Sequence, residues 1–256
     1  MAQNLTGRSA LVTGSGQGVG AAIARTFAVA GAFVYVNDLI AGRAQAVVDD
    51  IVASGGQAAA LVFDVTSYAA VGDAISTSGP VDILVNNAGN AGGDAWPSMV
   101  PFARSEPSDW APYLRVNLDG VMNCVRACLP GMIEGSWGRV ITIMSDAGRV
   151  GSPNMAAYAA AKAGAAAVTR SVAHEEARHG ITANNISLGT MRTPLTEAVW
   201  ADPDNATGKA LMAHYLVRRP GSPNDVTALA LLLASDDGEW ITGQTYPVNG
   251  GFSLAL

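Results

Sequence analysis

Short runs of β-branched and other apolar residues recur at 9–12, 33–36, 60–63, 81–85, 140–143 and 181–186, and longer Ala-rich stretches of helical spacing lie between them. This alternation predicts repeated βαβ units and a parallel sheet. Most runs are almost continuously apolar, so helices are expected on both faces of the sheet. A last run, Thr245–Val248, contains Pro247 and suits an edge strand, where a missing ladder donor costs least. No Pro-, Ser- or charge-rich linker interrupts the rhythm, which predicts a single domain over 1–256. Two segments break it, 90–107 and 189–220, and both follow strand ends, where open α/β sheets place their ligands.

Composition narrows the picture. A chain of 256 residues carries a soft prior of about two domains, which the unbroken alternation overrides. With 49% hydrophobic and 14% charged residues the chain is globular, not disordered. Every apolar stretch is broken by Gly, Asp, Arg or Asn before the roughly 18 residues of a spanning helix, so no membrane partner is expected. A net charge of −6 with only 15 Lys and Arg argues against nucleic acid. Residues 1–8 lack a basic stretch followed by an apolar core, which makes a cytoplasmic location the expectation. Cys124 and Cys128 stand one helical turn apart in an apolar segment and read as buried thiols. His174 and His179 superficially suggest a zinc-protease motif, but five-residue spacing makes them diverge around a helix, so no metal is expected there.

Directly after the first strand comes Thr13-Gly14-Ser15-Gly16-Gln17-Gly18-Val19-Gly20, followed by a helical segment at 21–30. A strand-to-helix turn without Cβ atoms lets backbone N–H groups and the positive helix end approach a pyrophosphate. Eighteen residues past Gly20, Asp38 closes the second strand, where a carboxylate accepts from both hydroxyls of an adenine ribose and repels a 2′-phosphate. Leu39 stands where an NADP enzyme is expected to place Arg, Gln17 replaces a basic residue in the turn, and no adjacent Arg or Lys is present. These features favour NAD; the alternative is that Asp38 merely caps the helix near Ala41.

Tyr158 and Lys162 are four apart in a helical stretch, 154–171, and so share a face. Ser145 ends a strand thirteen residues before Tyr158. Together with Asn86-Asn87-Ala88-Gly89 after the fourth strand and Asn117 in a helical segment, this arrangement resembles the short-chain dehydrogenase/reductase family. The resemblance runs from Thr13 to Val248-Asn249-Gly250-Gly251. It implies a Rossmann-like, doubly wound α/β sheet of about seven mostly parallel strands and a homotetramer. It also implies Asn117, Ser145, Tyr158 and Lys162 as the catalytic group. Cofactor contacts are implied at Gly14, Gln17, Gly18, Val19, Gly20, Asp38, Leu39, Asp64, Val65, Asn87, Ala88, Gly89, Tyr158, Lys162, Gly189, Met191 and Thr193. The family's usual Pro-Gly after the sixth strand is Leu188-Gly189 here.

The implied reaction interconverts a secondary alcohol and a ketone by hydride transfer to or from NAD. A phenol with pKa near 10 is a poor base at neutral pH. An ammonium beside it that lowered this value by roughly three pH units would supply about 4 kcal/mol, and Lys162 is placed to do so. By resemblance Lys162 also bonds the nicotinamide ribose, Ser145 orients the substrate oxygen, and Asn117 holds a water that relays the proton. The 90–100 segment with Trp96 and Met99, and Trp200 and Leu211, are expected to wall the substrate pocket, the alternative for Trp96 being a subunit contact. The stretch Ser145-Asp146-Ala147-Gly148-Arg149-Val150-Gly151, with Pro101-Phe102 upstream, resembles family members acting on alicyclic or β-hydroxyacyl substrates, which implies a bulky cyclic or β-hydroxyacyl alcohol. The alternatives are an NADPH-linked 3-oxoacyl thioester reductase of the same family and a non-catalytic NAD-binding protein. The small-residue helix 156–173 and the apolar tail 252–256 are the expected subunit contacts.

Overall fold

The computed structural model describes residues 3–89 and 100–254. Its strands are β1 (Ser9–Val12), β2 (Phe33–Val36), β3 (Gln57–Ala60), β4 (Ile83–Asn86), β5 (Gly138–Ser145), β6 (Ile181–Leu188) and β7 (Thr245–Val248). They form one sheet in the order β3-β2-β1-β4-β5-β6-β7, with every neighbouring pair parallel. The chain starts at β1, runs outward to β3, then returns to lay β4 against the other side of β1. That reversal opens a crevice between β1 and β4 at the carboxyl edge, where a doubly wound sheet binds its ligand.

The helices are α1 (Gly18–Val29), α2 (Ala41–Ala53), α3 (Tyr68–Ser78), α4 (Pro107–Leu114), α5 (Gly120–Glu134), α6 (Ala147–Val150), α7 (Ala156–Glu176), α8 (Glu197–Trp200), α9 (Ala206–His214) and α10 (Asn224–Ala234). Alternate strand residues feed two separate cores. Ala10, Val12, Val34, Ile83 and Ile141 pack with Ile23, Phe27 and Val47 of α1 and α2 and with Val226 and Leu233 of α10. Leu11, Leu84, Val140 and Ala183 pack with Val71 of α3, with Cys124 and Cys128 of α5, and with Ala165 and Val172 of α7. Both cysteines are free, and burial pushes the Cys124 thiol up to about 12 and Cys128 well above its ordinary value, so neither is a nucleophile. No helix among the described residues is long and apolar enough to cross a membrane.

Pro247 lies in β7, which pairs with β6 alone, as an edge strand should. The third strand is a correction: it occupies Gln57–Ala60, not 60–63. The Asn37 amide donates to the carbonyls of Leu61 at 2.9 Å and Phe63 at 3.1 Å, drawing the chain out of the ladder while Phe63 turns into the core. The expected strand at 81–85 is shifted to Ile83–Asn86, and the 154–171 helix begins two residues later because Asn154 has φ +65°. His174 is exposed, and His179 lies in the turn after α7, beside Arg178 and Glu176.

Candidate active site

The glycine turn between β1 and α1 is bound to the end of β4. Asn87 Nδ2 donates to the carbonyls of Thr13 and Gly14, each at 2.9 Å, and Thr13 Oγ1 accepts from the N–H groups of Asn87 and Ala88 at 3.0 Å. Side chains would not fit: a Cβ on Gly14 would stand 2.8 Å from Ala88 Cα, and one on Gly20 2.7 Å from the Gly14 carbonyl. Gln17 precedes α1 with extended backbone and no capping bond, and the first turn, with Gly18, Val19 and Gly20, holds no acidic residue. By contrast, Ser67 caps α3 and Asn205 caps α9. The first N–H groups of α1 are thus left for an anion, and the cradle fits the pyrophosphate of a dinucleotide.

Gly16 is pressed between two groups, since a Cβ there would meet Asp38 Oδ2 at 2.6 Å and Arg43 Cβ at 2.7 Å. Asp38 is buried, and its Oδ1 accepts from the Ile40 N–H at 2.9 Å, just ahead of α2. The capping alternative therefore accounts for one oxygen only, and Oδ2 faces the glycine turn. Leu39 is exposed. Although no basic residue adjoins Asp38 in sequence, the fold brings the exposed Arg43 beside it, a neighbour that spacing alone did not single out.

Asp64 is exposed and holds the Thr66 N–H at 2.8 Å, while Val65 is buried against Gly120. On the far side of the crevice the segment after β6 reaches back over the turn: Thr193 Cγ2 lies 3.5 Å from where a Gly18 Cβ would be. Met191 is buried and bridges to Gly221, and Gly189 leaves room for the Tyr215 hydroxyl, 3.0 Å from its would-be Cβ.

The four expected catalytic residues converge. Ser145 ends β5 beside Tyr158 of α7, near enough to lower the pKa of its phenol. Lys162, one turn along α7, is buried and donates from Nζ to the Ile143 carbonyl at 3.0 Å. Asn117 is wholly buried in a π-helical turn, Arg115–Asp119, where the wider winding turns its side chain inward. Its amide donates to the Tyr113 carbonyl at 3.0 Å. Asn117 Oδ1 and Lys162 Nζ lie 3.3 and 3.4 Å from the point a Gly89 Cβ would occupy, so both face the corner that glycine leaves open.

The electrostatics correct one expectation. Burial raises the Tyr158 phenol above its ordinary value, the neighbouring Ser145 side chain lowers it, and Tyr113, whose ring stands edge-on at 6.1 Å, raises it. Lys162 does not depress it here, because Nζ is turned to Ile143 and lies 6.0 Å from the Tyr158 ring centre. Burial lowers Lys162 itself to about 8.

Comparison with known proteins gives this geometry its context. The short chain dehydrogenase family matches residues 8–204. The chain belongs to the short-chain dehydrogenase/reductase family. It is 38% identical over 251 residues to the 7α-hydroxysteroid dehydrogenase of Escherichia coli, covering 96% of this chain and 94% of that one. It is 36% identical over 251 residues to the (2S)-[(R)-hydroxy(phenyl)methyl]succinyl-CoA dehydrogenase subunit of Thauera aromatica, covering 96% and 97%. The crystal structure of a gluconate 5-dehydrogenase from Burkholderia cenocepacia, in complex with NADP and tartrate, superimposes with a TM-score of 0.90 at 36% identity, covering 99% and 98%. As a short-chain dehydrogenase/reductase the protein is an oxidoreductase that binds a nicotinamide cofactor.

Within this family frame, the structure places three features that spacing alone did not. A small cleft against Tyr158 is walled by Phe102, Trp110, Tyr113 and Met155, with Phe102 and Trp110 stacked at 5.4 Å. Tyr113 stands one helical turn before Asn117, a spacing that signals a shared face. Trp200 lines a separate cavity of about 500 Å³ with Val199, Met212 and Arg218, and neither Leu211 nor any of Ser145, Tyr158 and Lys162 lines it. The expected Trp96 and Met99 wall lies outside the described residues. Third, Asp146 is a buried carboxylate directly after Ser145.

Proposed function

We propose that the protein is an NAD-dependent oxidoreductase interconverting a secondary alcohol and a ketone, carried by a single domain. The observation that carries this reading is the convergence of Ser145, Tyr158, Lys162 and Asn117 at the carboxyl edge, beside the glycine turn. The nicotinamide ring, when bound, accepts or returns the hydride. Ser145 holds the substrate oxygen and Tyr158 exchanges its proton, the two standing side by side at the carboxyl edge. Lys162, with two ammonium donors beyond the one given to Ile143, is available to bond the cofactor ribose. Asn117 and Lys162 frame a corner suited to a water that passes the proton outward.

NAD is favoured over NADP because the buried Asp38 presents Oδ2 towards the crevice, where it would repel a 2′-phosphate. Arg43 is the observation that favours the second reading, an NADPH-linked 3-oxoacyl reductase. It is solvated, and a cation in water offsets less than a buried carboxylate imposes. The aromatic cleft beside Tyr158 supports a bulky cyclic or β-hydroxyacyl substrate. A cytoplasmic homotetramer completes the proposal, although Phe252 of the tail is taken up within the chain against Tyr215.

The test is a screen of secondary alcohols and β-hydroxyacyl thioesters with NAD and NADP, read at the reduced nicotinamide band. NAD should give the far higher kcat/KM; equal values would overturn the cofactor assignment. In Tyr158→Phe, turnover should fall below about a tenth of wild type with cofactor binding kept. Light scattering giving a stable monomer near 26 kDa would reject the tetramer.

A further inference from the structure

Asp146 is buried and binds several groups at the carboxyl edge, and the chemistry above makes no use of it. Its Oδ1 accepts from Ser187 Oγ at 2.6 Å and Arg149 Nη1 at 3.2 Å. Its Oδ2 accepts from Ser253 Oγ at 2.8 Å and Asn249 Nδ2 at 2.5 Å, and its N–H donates to the Leu188 carbonyl at 3.0 Å. These partners come from the end of β6, from α6, and from the 249–253 loop that follows β7.

The 249–253 loop does not end the chain of contacts. Its Phe252 ring packs 5.4 Å from Tyr215 and 5.9 Å from His214, at the end of α9. The Tyr215 hydroxyl accepts from the Thr190 N–H at 2.7 Å. Thr190 lies in the segment that carries Met191 and Thr193 over the glycine turn.

We propose that Asp146 is a positioning residue: it holds the 249–253 loop against the turn after Ser145 and, through Phe252, Tyr215 and Thr190, fixes the 189–196 segment. One buried carboxylate thereby sets the substrate side and the cofactor side of the site together. The proposal rests on the oxidoreductase reading above for its catalytic consequence, but not for its structural one.

The hydrogen-bond inventory shows why a carboxylate is needed. Hydroxyls of Ser187 and Ser253 can rotate, but the Arg149 guanidinium and the Asn249 amide nitrogen can only donate. Asn at position 146 must therefore aim its own NH2 at one of those donors, whichever way it is turned. Flipping the Asn249 amide instead would strand the Gly251 N–H, which donates to Asn249 Oδ1 at 3.0 Å. Asp146→Asn thus breaks the arrangement at nearly constant volume.

The experiment compares Asp146→Asn and Phe252→Ala with wild type by steady-state kinetics, NAD binding from tryptophan fluorescence, and amide hydrogen exchange. Asp146→Asn should lower kcat by about 30-fold or more, as expected when reacting groups are misplaced, and raise the NAD Kd by about threefold or more as the 189–196 segment loosens. Exchange should rise across 189–215 as well as 146–151 and 249–254. Phe252→Ala should raise exchange in 189–215 while leaving 146–151 protected. A folded Asp146→Asn protein with kcat within about threefold of wild type, or with extra exchange confined to 146–151 and 249–254, would overturn the proposal. If Asp146→Asn does not fold, Ser253→Ala removes one donor only and is judged by the same pattern at smaller amplitude. Wild-type protein that turns over no alcohol or ketone with either cofactor would sink the oxidoreductase reading, and the exchange map would still decide whether Asp146 positions the 189–196 segment.

Discussion

Two buried cations attend β5, and they are treated in opposite ways. Arg139, near the amino end, is 2% exposed and tied to fixed groups: its guanidinium donates to the carbonyls of Ser235, Gly138 and Gly180, lies 3.6 Å from Asp236, and stacks over Trp137. Lys162, near the carboxyl end, is 5% exposed and gives one hydrogen bond, to Ile143. Burial lowers both pKa values; Asp236 opposes this at Arg139, whereas among the described residues no carboxylate offsets it at Lys162. A buried cation whose donors go mainly to fixed backbone carbonyls belongs to the architecture, whereas one with most of its donors unspent suits the cofactor-binding role proposed for Lys162.

The contrast is open to direct attack. Lys162→Met should reduce kcat by about a thousandfold or more, as expected for loss of a preorganised charge, without lowering Tm, because an apolar side chain of similar size replaces a costly charge. Retained turnover would remove Lys162 from the chemistry. Arg139→Met should behave in reverse, costing about 2 kcal/mol of stability in denaturant unfolding by removing donors from its backbone carbonyl partners and its stacking on Trp137. Its kcat should stay near wild type, since Arg139 and Ser145 are six residues apart on an extended strand, about 20 Å. A large fall in kcat of the folded variant would erase the distinction.

The smallest effect concerns pH. Lys162 titrates at about 8 when folded, below the ordinary value of 10.5. Below the folded value both states hold the proton and the burial cost is felt in full; between the two values the unfolded chain binds more protons, so stability rises with pH. Wild type should gain on Lys162→Met by about 1.3 kcal/mol between pH 7 and 9. A stability difference that stays flat over that interval would mean that Lys162 keeps its proton in the folded protein beyond pH 9, and a rise of about 2.7 kcal/mol would mean that it is already neutral at pH 7.

Much of the β5 contrast could not be read from sequence. Lys162 was legible because Tyr158, Ser145 and the glycine turn occur in a fixed order around it, each residue type demanded by the reaction. Arg139 belongs to no such set; its partners at 180, 235 and 236 are brought to it by the sheet, as are those of Asp146 at 187, 249 and 253. The same limit explains the third strand. The apolar run at 60–63 is the stronger local signal, but Asn37 on the neighbouring strand's exit captures the carbonyls of Leu61 and Phe63 and ends the ladder early. Arg43 illustrates it again, since only the crossing of α2 over the glycine turn places it near Asp38. Periodicity reports what an element buries, while side chains that settle backbone groups on distant segments leave no periodic trace.

The long reach of the Asp146 contacts also bears on how the molecule comes into being. Asn249 and Ser253 are joined to a residue more than a hundred positions earlier, and β7 closes the sheet only by adding to β6. Contacts of such separation form late, after more local units have gathered. During synthesis the glycine turn and its βαβ half can assemble while the ribosome is still translating the second half, yet Asp146 waits without its last two partners until residue 253 has emerged. A nascent chain therefore has its glycine-turn cradle well before its carboxyl-edge face is complete, and the arrival of the 249–253 loop decides when the one becomes the other.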